Sequence, residues 1–97
     1  MELRFLKINE INKNILISII CKYYKKFDDF EKLCELFYIN RSMSCIPGIN
    51  GSPIGFFLVS TLKNRAYINS FFILPEYRGN GFGVTTLKTA IKQLTQN

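Results

Sequence analysis

The 97-residue sequence contains no histidine and no tryptophan, and only three cysteines and three prolines. Without histidine or a Cys-x-x-Cys motif, the chain lacks the ligand sets of common zinc sites, so we expect no bound metal. Cys21, Cys34 and Cys45 are odd in number and lie in apolar stretches. This pattern predicts buried thiols in a cytoplasmic protein and no disulfide framework.

Long apolar runs are also missing. No stretch reaches the length of about 20 residues that a membrane-spanning helix needs, so no membrane segment is expected. The first seven residues alternate charged and apolar side chains, unlike the apolar core of a signal peptide. With 47% hydrophobic and 21% charged residues, the composition predicts one globular domain over residues 1–97.

Acidic residues are scarce in the second part of the chain. Residues 1–35 hold seven basic and six acidic side chains, whereas residues 36–97 hold six basic and one acidic side chain. Most of the net charge of +6 therefore belongs to residues 36–97. Such a bias suits a polyanionic ligand, and charge alone does not distinguish a phosphorylated small molecule from a nucleic acid.

Three glycines and an arginine stand close together in Tyr77-Arg78-Gly79-Asn80-Gly81-Phe82-Gly83. They follow an apolar predicted strand that Pro75 ends, and precede a predicted helix. Glycines bring backbone N–H groups close to a ligand, and a helix start adds unpaired donors and a positive dipole end. Because the forked N–H donors of the Arg78 guanidinium also suit phosphate oxygens, the pattern predicts a phosphate site at residues 78–84. A turn that only reverses the chain is the alternative.

Other phosphate-binding motifs fit this segment less well. Val84 stands where the dinucleotide fingerprint needs its last glycine, and no Gly-Lys-Ser/Thr follows as a P-loop requires.

The remaining sequence predicts seven helices and strands. Asp28 and Glu31 resemble a capping box that opens the second helix, Pro47 favours an edge or a bulge, and Asn50-Gly51 predicts a hairpin turn. The predicted elements are a strand at 2–8, a helix at about 12–27 with Ile15, Leu16, Ile19, Ile20, Tyr23 and Phe27 on its apolar face, a helix burying Phe30, Leu33, Cys34, Phe37 and Tyr38, strands at 42–49, 54–60 and 65–74, and a helix at 84–95 with Val84, Leu87, Ile91 and Leu94 at helical spacing.

This order and the segment Phe72-Ile73-Leu74-Pro75-Glu76-Tyr77-Arg78-Gly79-Asn80-Gly81-Phe82-Gly83 resemble the GNAT N-acetyltransferase superfamily and its acetyl-CoA-binding loop. Asn50-Gly51-Ser52-Pro53-Ile54-Gly55-Phe56 also resembles the hairpin between that family's second and third strands. The resemblance implies a GNAT-like three-layer α/β (α+β) domain with a mostly antiparallel sheet, in the order strand–helix–helix–strand–strand–strand–helix. In the family further strands and a helix normally follow, so we expect a domain shortened after this last helix.

The resemblance also implies a site for acetyl-CoA. The loop amides would bind the pyrophosphate, with Arg78 beside it, and the pantetheine arm would lie along the fourth strand. The backbone N–H of Ile73 would then stabilise the oxyanion, which makes it the catalytic group of this interpretation. The implied cofactor-binding residues are Phe72, Ile73, Arg78, Gly79, Asn80, Gly81, Phe82, Gly83 and Val84.

Proton-transfer groups are missing from the positions where the resemblance would place them. Asn69 matches the family's glutamate base and cannot take up a proton at neutral pH. Glu76 is expected to be a solvated surface charge, and Tyr77 to pack against the loop. The family's usual acid, a tyrosine, would lie beyond Asn97.

Three function classes remain open. The first is an acyltransferase that moves the acetyl group of acetyl-CoA to an amine, with activity that is weak or lost. The second is a CoA-binding or protein-interaction module without turnover. The third is a small basic nucleic-acid-binding protein, and it ranks last because strands three and four are apolar on both faces. Because the fourth strand, from Tyr67 to Leu74, would be an open edge, we expect a homodimer or another protein to cover it.

Overall fold

The computed structural model describes residues 2–8, 13–23 and 29–95. Their order confirms the predicted sequence of elements and adds one two-residue strand after the Asn50-Gly51 turn. The elements are β1 (Leu3–Lys7), α1 (Lys13–Tyr23), α2 (Phe30–Phe37), β2 (Cys45–Ile49), β3 (Ser52–Pro53), β4 (Gly55–Leu62), β5 (Arg65–Ile73) and α3 (Phe82–Thr95), with a 3₁₀ turn at Pro75–Tyr77. The predicted third and fourth strands are therefore β4 and β5.

The strands form one antiparallel sheet in the order β1-β2-β4-β5, with β3 paired to β2. The sequence predicted an edge or a bulge at Pro47, and the edge alternative is wrong, because β2 lies inside the sheet. Pro47 is tolerated because β2 pairs with β4 only at Cys45↔Phe57, and from Gly48 onwards it pairs with β3 instead. The Pro47 carbonyl still accepts a hydrogen bond from the Ile54 N–H at 2.8 Å. The missing N–H thus falls where the ladder is interrupted.

Two apolar clusters, one on each face of the sheet, give the protein three layers. Neighbouring residues of β4 alternate between them, as the pleat of a strand requires. Phe56 and Leu58 pack with α1 and α2, whereas Phe57 and Val59 pack with α3. All four side chains have zero exposed surface. This pattern explains why the sequence of β4 is apolar without alternation.

The structure corrects several details of the first two helices. Ile15 is 46% exposed, so the buried face of α1 consists of Leu16, Ile19 and Ile20. Asp28 lies outside the described residues, as do Phe27 and the side chain of Tyr23. The cap of α2 is Asp29, whose carboxylate accepts from the Glu31 N–H at 3.0 Å.

Tyr38 is not buried as predicted. It is 54% exposed because it ends α2 in the left-handed conformation, with φ of 54°. This backbone change turns its side chain off the apolar stripe of the helix.

The last helix begins at Phe82, two residues before the predicted start, and its apolar residues do not mark the buried face. Val84, Leu87 and Ile91 are 61%, 42% and 49% exposed, and only Leu94 of the predicted set packs against the sheet. The fully buried positions of α3 are Thr86 and Ala90, because small side chains let the helix approach the sheet closely. None of the helices in the described ranges has both the length and the apolar character to cross a membrane.

Candidate functional site

A cavity of about 470 Å³ opens where β5 ends and the glycine-rich segment begins. Its volume lies within the range of about 300–1,000 Å³ that is typical of small-molecule sites. Phe71, Phe72 and Ile73 line it from the strand, and Arg78, Gly79 and Gly83 line it from the loop and the start of α3. The fold therefore brings together two sequence segments that the motif predicted to act together.

The backbone on one side of this cavity is the outer edge of β5, which is the last strand of the sheet in the described part of the chain. The Leu74 N–H donates to the Ile54 carbonyl at 2.7 Å, so the backbone N–H of Leu74 points inwards, towards the segment that precedes β4. Backbone groups alternate in direction along a strand. The backbone N–H and C=O of Phe72 therefore also point towards β4, whereas those of Phe71 and Ile73 point towards the open edge.

The loop itself owes its shape to two glycines. Gly79 and Gly81 have φ of 84° and 80°, in the positive-φ region that residues other than glycine rarely adopt. A Cβ on either residue would meet no atom within 4 Å. The glycines thus serve the backbone conformation and not internal packing. They leave the space in front of the loop open, so a ligand could approach the backbone closely.

The start of α3 faces the same space. Its first helical hydrogen bond runs from the Thr85 N–H to the Gly81 carbonyl at 3.1 Å, so the amides of Phe82, Gly83 and Val84 precede the ladder. The first turn carries neither aspartate nor glutamate. The positive end of the helix dipole is therefore not neutralised from within the helix, which suits an anion.

The side chain of Arg78 folds back on β5. Its Nε donates to the Ile73 carbonyl at 2.8 Å, and its guanidinium carbon lies 5.2 Å from the centre of the Phe72 ring. On the other side of the loop, the Tyr77 and Phe82 rings are 6.5 Å apart. These contacts tie the loop to the strand before it and the helix after it.

Asn69 occupies a β-bulge in β5. The register passes from Val59↔Ile68 to Leu58↔Ser70, which leaves Asn69 as the extra residue. Its Oδ1 accepts a hydrogen bond from the Ser70 hydroxyl at 2.8 Å. Glu76 is exposed in the 3₁₀ turn, as predicted from the sequence. The position expected for a base thus holds a neutral amide.

A model of the acetyltransferase (GNAT) family matches residues 13–97. The chain belongs to the GNAT family. The three helices of the described residues and their mixed α/β architecture with an antiparallel sheet agree with a GNAT-like fold. A comparison with curated proteins found no match.

The GNAT motif predicted most of the residues that line the cavity but not all of them. Five predicted site residues line it, namely Phe72, Ile73, Arg78, Gly79 and Gly83, whereas Asn80, Gly81, Phe82 and Val84 lie in the loop and first turn beside it. Phe71 also lines the cavity and was missed. Its place in an apolar strand gave no signal, because only the strand register shows which residues face the edge.

One further cluster, remote in sequence from the loop, joins α2 to the segment that follows it. The Arg41 guanidinium hydrogen-bonds the Glu31 carboxylate, which raises the pKa of Arg41, and lies 5.3 Å from the centre of the Phe30 ring. Burial raises the pKa of the Cys34 thiol, and the charge of Arg41 partly opposes this effect. Cys34 and Cys45 are both buried thiols, as predicted, while the Cys21 side chain lies outside the described part.

Proposed function

We propose that the chain binds acetyl-CoA in the cavity at the end of β5 and transfers the acetyl group to an amine. Membership of the GNAT family supports an acetyltransferase-type function in general terms. The observation that carries this proposal is the cavity's lining, which joins the open edge of β5 to a glycine loop and a helix start. Acetyl-CoA would supply the activated acetyl thioester.

The residues of the site fit a pyrophosphate. Gly79 and Gly81 leave the loop backbone accessible, and the amides from Asn80 to Val84 include the unpaired donors of α3. The remaining length of the ligand would lie along the edge of β5, where Phe71 and Ile73 present backbone groups. The Ile73 N–H is the proposed donor to a carbonyl oxygen at the reacting end.

Proton transfer would depend on solvent or on the acceptor amine. Asn69 has no proton affinity at neutral pH, and Glu76 is an exposed loop side chain. Rate acceleration would then come from holding the two reactants together and from the backbone donor. A CoA-binding module without turnover is the second candidate, and the neutral amide at the bulge is the observation that favours it.

A nucleic-acid-binding function has less support from the fold. Base-stacking sheets display aromatic rings on an exposed face. Here Phe56 and Phe57 are fully buried, and Phe5 and Phe71 pack against the α3 side of the sheet.

Two measurements separate these functions. Added CoA should raise the unfolding temperature of either a transferase or a binding module, because a ligand that binds only the folded state stabilises it. Release of free thiol from acetyl-CoA in the presence of a panel of amines should occur only with a transferase. If CoA produced no thermal shift, the proposed ligand would be wrong.

We also propose that a second chain, another copy of this one or a different protein, covers the part of the β5 edge that bound CoA would leave open. The edge carries Tyr67, which is 47% exposed, beside the half-buried Phe71 and Phe72. An edge of this kind favours strand pairing between chains. Sedimentation at micromolar concentration should show a dimer of the purified protein, and a monomer with and without CoA would argue against self-association.

A further inference from the structure

Arg78 contacts the end of β5 in a way that phosphate binding alone does not explain. Its Nε is bonded to the carbonyl of Ile73, and its guanidinium stacks on Phe72. Both partners precede it by five or six residues and belong to the last part of the strand. The guanidinium is therefore held against β5, at the strand side of the cavity that it shares with Gly79 and Gly83.

The bonded carbonyl and the proposed donor belong to the same residue. In an extended strand the N–H and C=O of one residue point to the same side. The carbonyl that accepts from Arg78 therefore lies on the open side of β5 together with the Ile73 N–H. The same peptide plane carries the Leu74 N–H, which donates to the Ile54 carbonyl at 2.7 Å, so Arg78 holds this plane from the open side. Together the two bonds restrict the ψ angle of Ile73, and with it the orientation of the Ile73 N–H, where the strand gives way to the 3₁₀ turn.

We propose that Arg78 is a positioning residue for the reacting end of the site. Its hydrogen bond holds Ile73 so that the N–H of this residue points at the carbonyl oxygen of a bound thioester. Its positive charge lies on the same edge, where it favours the negative charge that develops on that oxygen. This inference rests on the proposed function and adds a role that does not involve the phosphates.

The first test separates positioning from phosphate binding by comparing ligands in the variants Arg78→Met and Arg78→Lys. ADP serves as a probe that carries a pyrophosphate without the pantetheine arm. If Arg78 positions Ile73, ADP affinity should stay within about threefold of the wild type in Arg78→Met, a change of under 0.7 kcal/mol at 1.4 kcal/mol per tenfold. Arg65→Met, at the opposite end of β5, is the matched control for loss of one arginine.

The kinetic arm uses turnover of acetyl-CoA. We expect Arg78→Met to lower kcat about 10- to 100-fold with little change in KM, somewhat less than the 10²–10³-fold that removal of a direct oxyanion donor costs. Arg78→Lys should recover part of the rate, because a lysine keeps the charge and one donor but not the forked geometry. A purely structural role would not give this split between kcat and KM.

The third arm needs no turnover. In the free protein, Arg78→Met should shift the carbonyl carbon of Ile73 in the NMR spectrum, and Arg65→Met should not. In the wild type, acetyl-CoA should move the Ile73 amide proton further than CoA does, and this difference should disappear in Arg78→Met. Thermal unfolding of each variant reports whether it is folded, and Arg78→Lys replaces Arg78→Met if the latter is not.

Two results would overturn the inference in distinguishable ways. Wild-type protein that binds no CoA would contradict the proposed function, and this inference with it. Wild-type protein that binds CoA, with Arg78 variants that lose affinity for ADP and CoA equally and keep the Ile73 signals unchanged, would overturn only the inference. Arg78 would then be a phosphate ligand.

Discussion

Replacing Gly81 with leucine should abolish CoA binding without unfolding the protein, and Gly51 provides a matched control. The two glycines have φ of 80° and 79°, and a Cβ on either meets no atom within 4 Å. The backbone cost of a non-glycine residue there is therefore equal, about 1–2 kcal/mol. For a domain of this size, both Gly81→Leu and Gly51→Leu should unfold about 4–16 °C below the wild type, at about 4–8 °C per kcal/mol.

Only the change at residue 81 should affect CoA. The leucine side chain would project into the open space in front of the loop, where the phosphates are proposed to lie. Losing two charge-assisted hydrogen bonds, at about 1.5–3 kcal/mol each, weakens binding more than a hundredfold at 1.4 kcal/mol per tenfold. Calorimetric titration with CoA measures this difference directly. If Gly81→Leu bound CoA as tightly as Gly51→Leu, the assignment of the pyrophosphate to this loop would be refuted.

Acetyl transfer should rise steadily with pH, because Asn69 cannot accept a proton and the amine must lose its own; a sharp acidic limb near neutrality in the rate profile would reveal a protein base. Gly55→Ala should destabilise the protein by about 1–3 kcal/mol or more in urea unfolding, because its Cβ would meet the Phe72 carbonyl at 2.1 Å; an unchanged midpoint would contradict the register of β4 and β5. Burial raises the pKa of the Cys34 thiol, so the folded state favours the neutral thiol. The stability that this gives is present below the ordinary thiol pKa and is lost as pH rises through the raised pKa of the folded state. Cys34→Ala should therefore lose less stability at alkaline pH than the wild type, and an equal loss in both proteins would contradict this.

Local sequence patterns predicted the elements well where local chemistry determines them. Asn50 and Gly51 have φ of 52° and 79°, and Lys63 and Asn64 have φ of 50° and 66°. Both pairs adopt the left-handed turns that suit a two-residue hairpin connection. The predicted strands on either side of these turns therefore lie within a few residues of the observed ones.

The faces of the helices were harder to predict than their positions. Apolar spacing indicated Val84, Leu87, Ile91 and Leu94, yet only Leu94 of these packs against the sheet, and the buried positions are Thr86 and Ala90. A close approach between α3 and the sheet selects small side chains, and this requirement arises from tertiary contact. The bulge at Asn69 was invisible for the same reason, since it exists only relative to β4.

The site was predictable as a loop but not as a cavity. The glycines and Arg78 identified the segment, because their chemistry is local. The direction of the Arg78 side chain and the lining role of Phe71 depend on where β5 ends. Occupation of the site by CoA and a cytoplasmic location stay predictions.

An amide-resolved NMR titration of the wild-type protein with CoA tests the proposed site most directly. Binding as proposed should shift the amides of residues 79–84 and those of Phe71 and Ile73 on the edge of β5, in one saturable transition. The surface groove beside Gly48 and Asn50 should be unaffected. Absence of any shift, or shifts confined to that groove, would contradict the claim that the loop and the end of β5 form a CoA site.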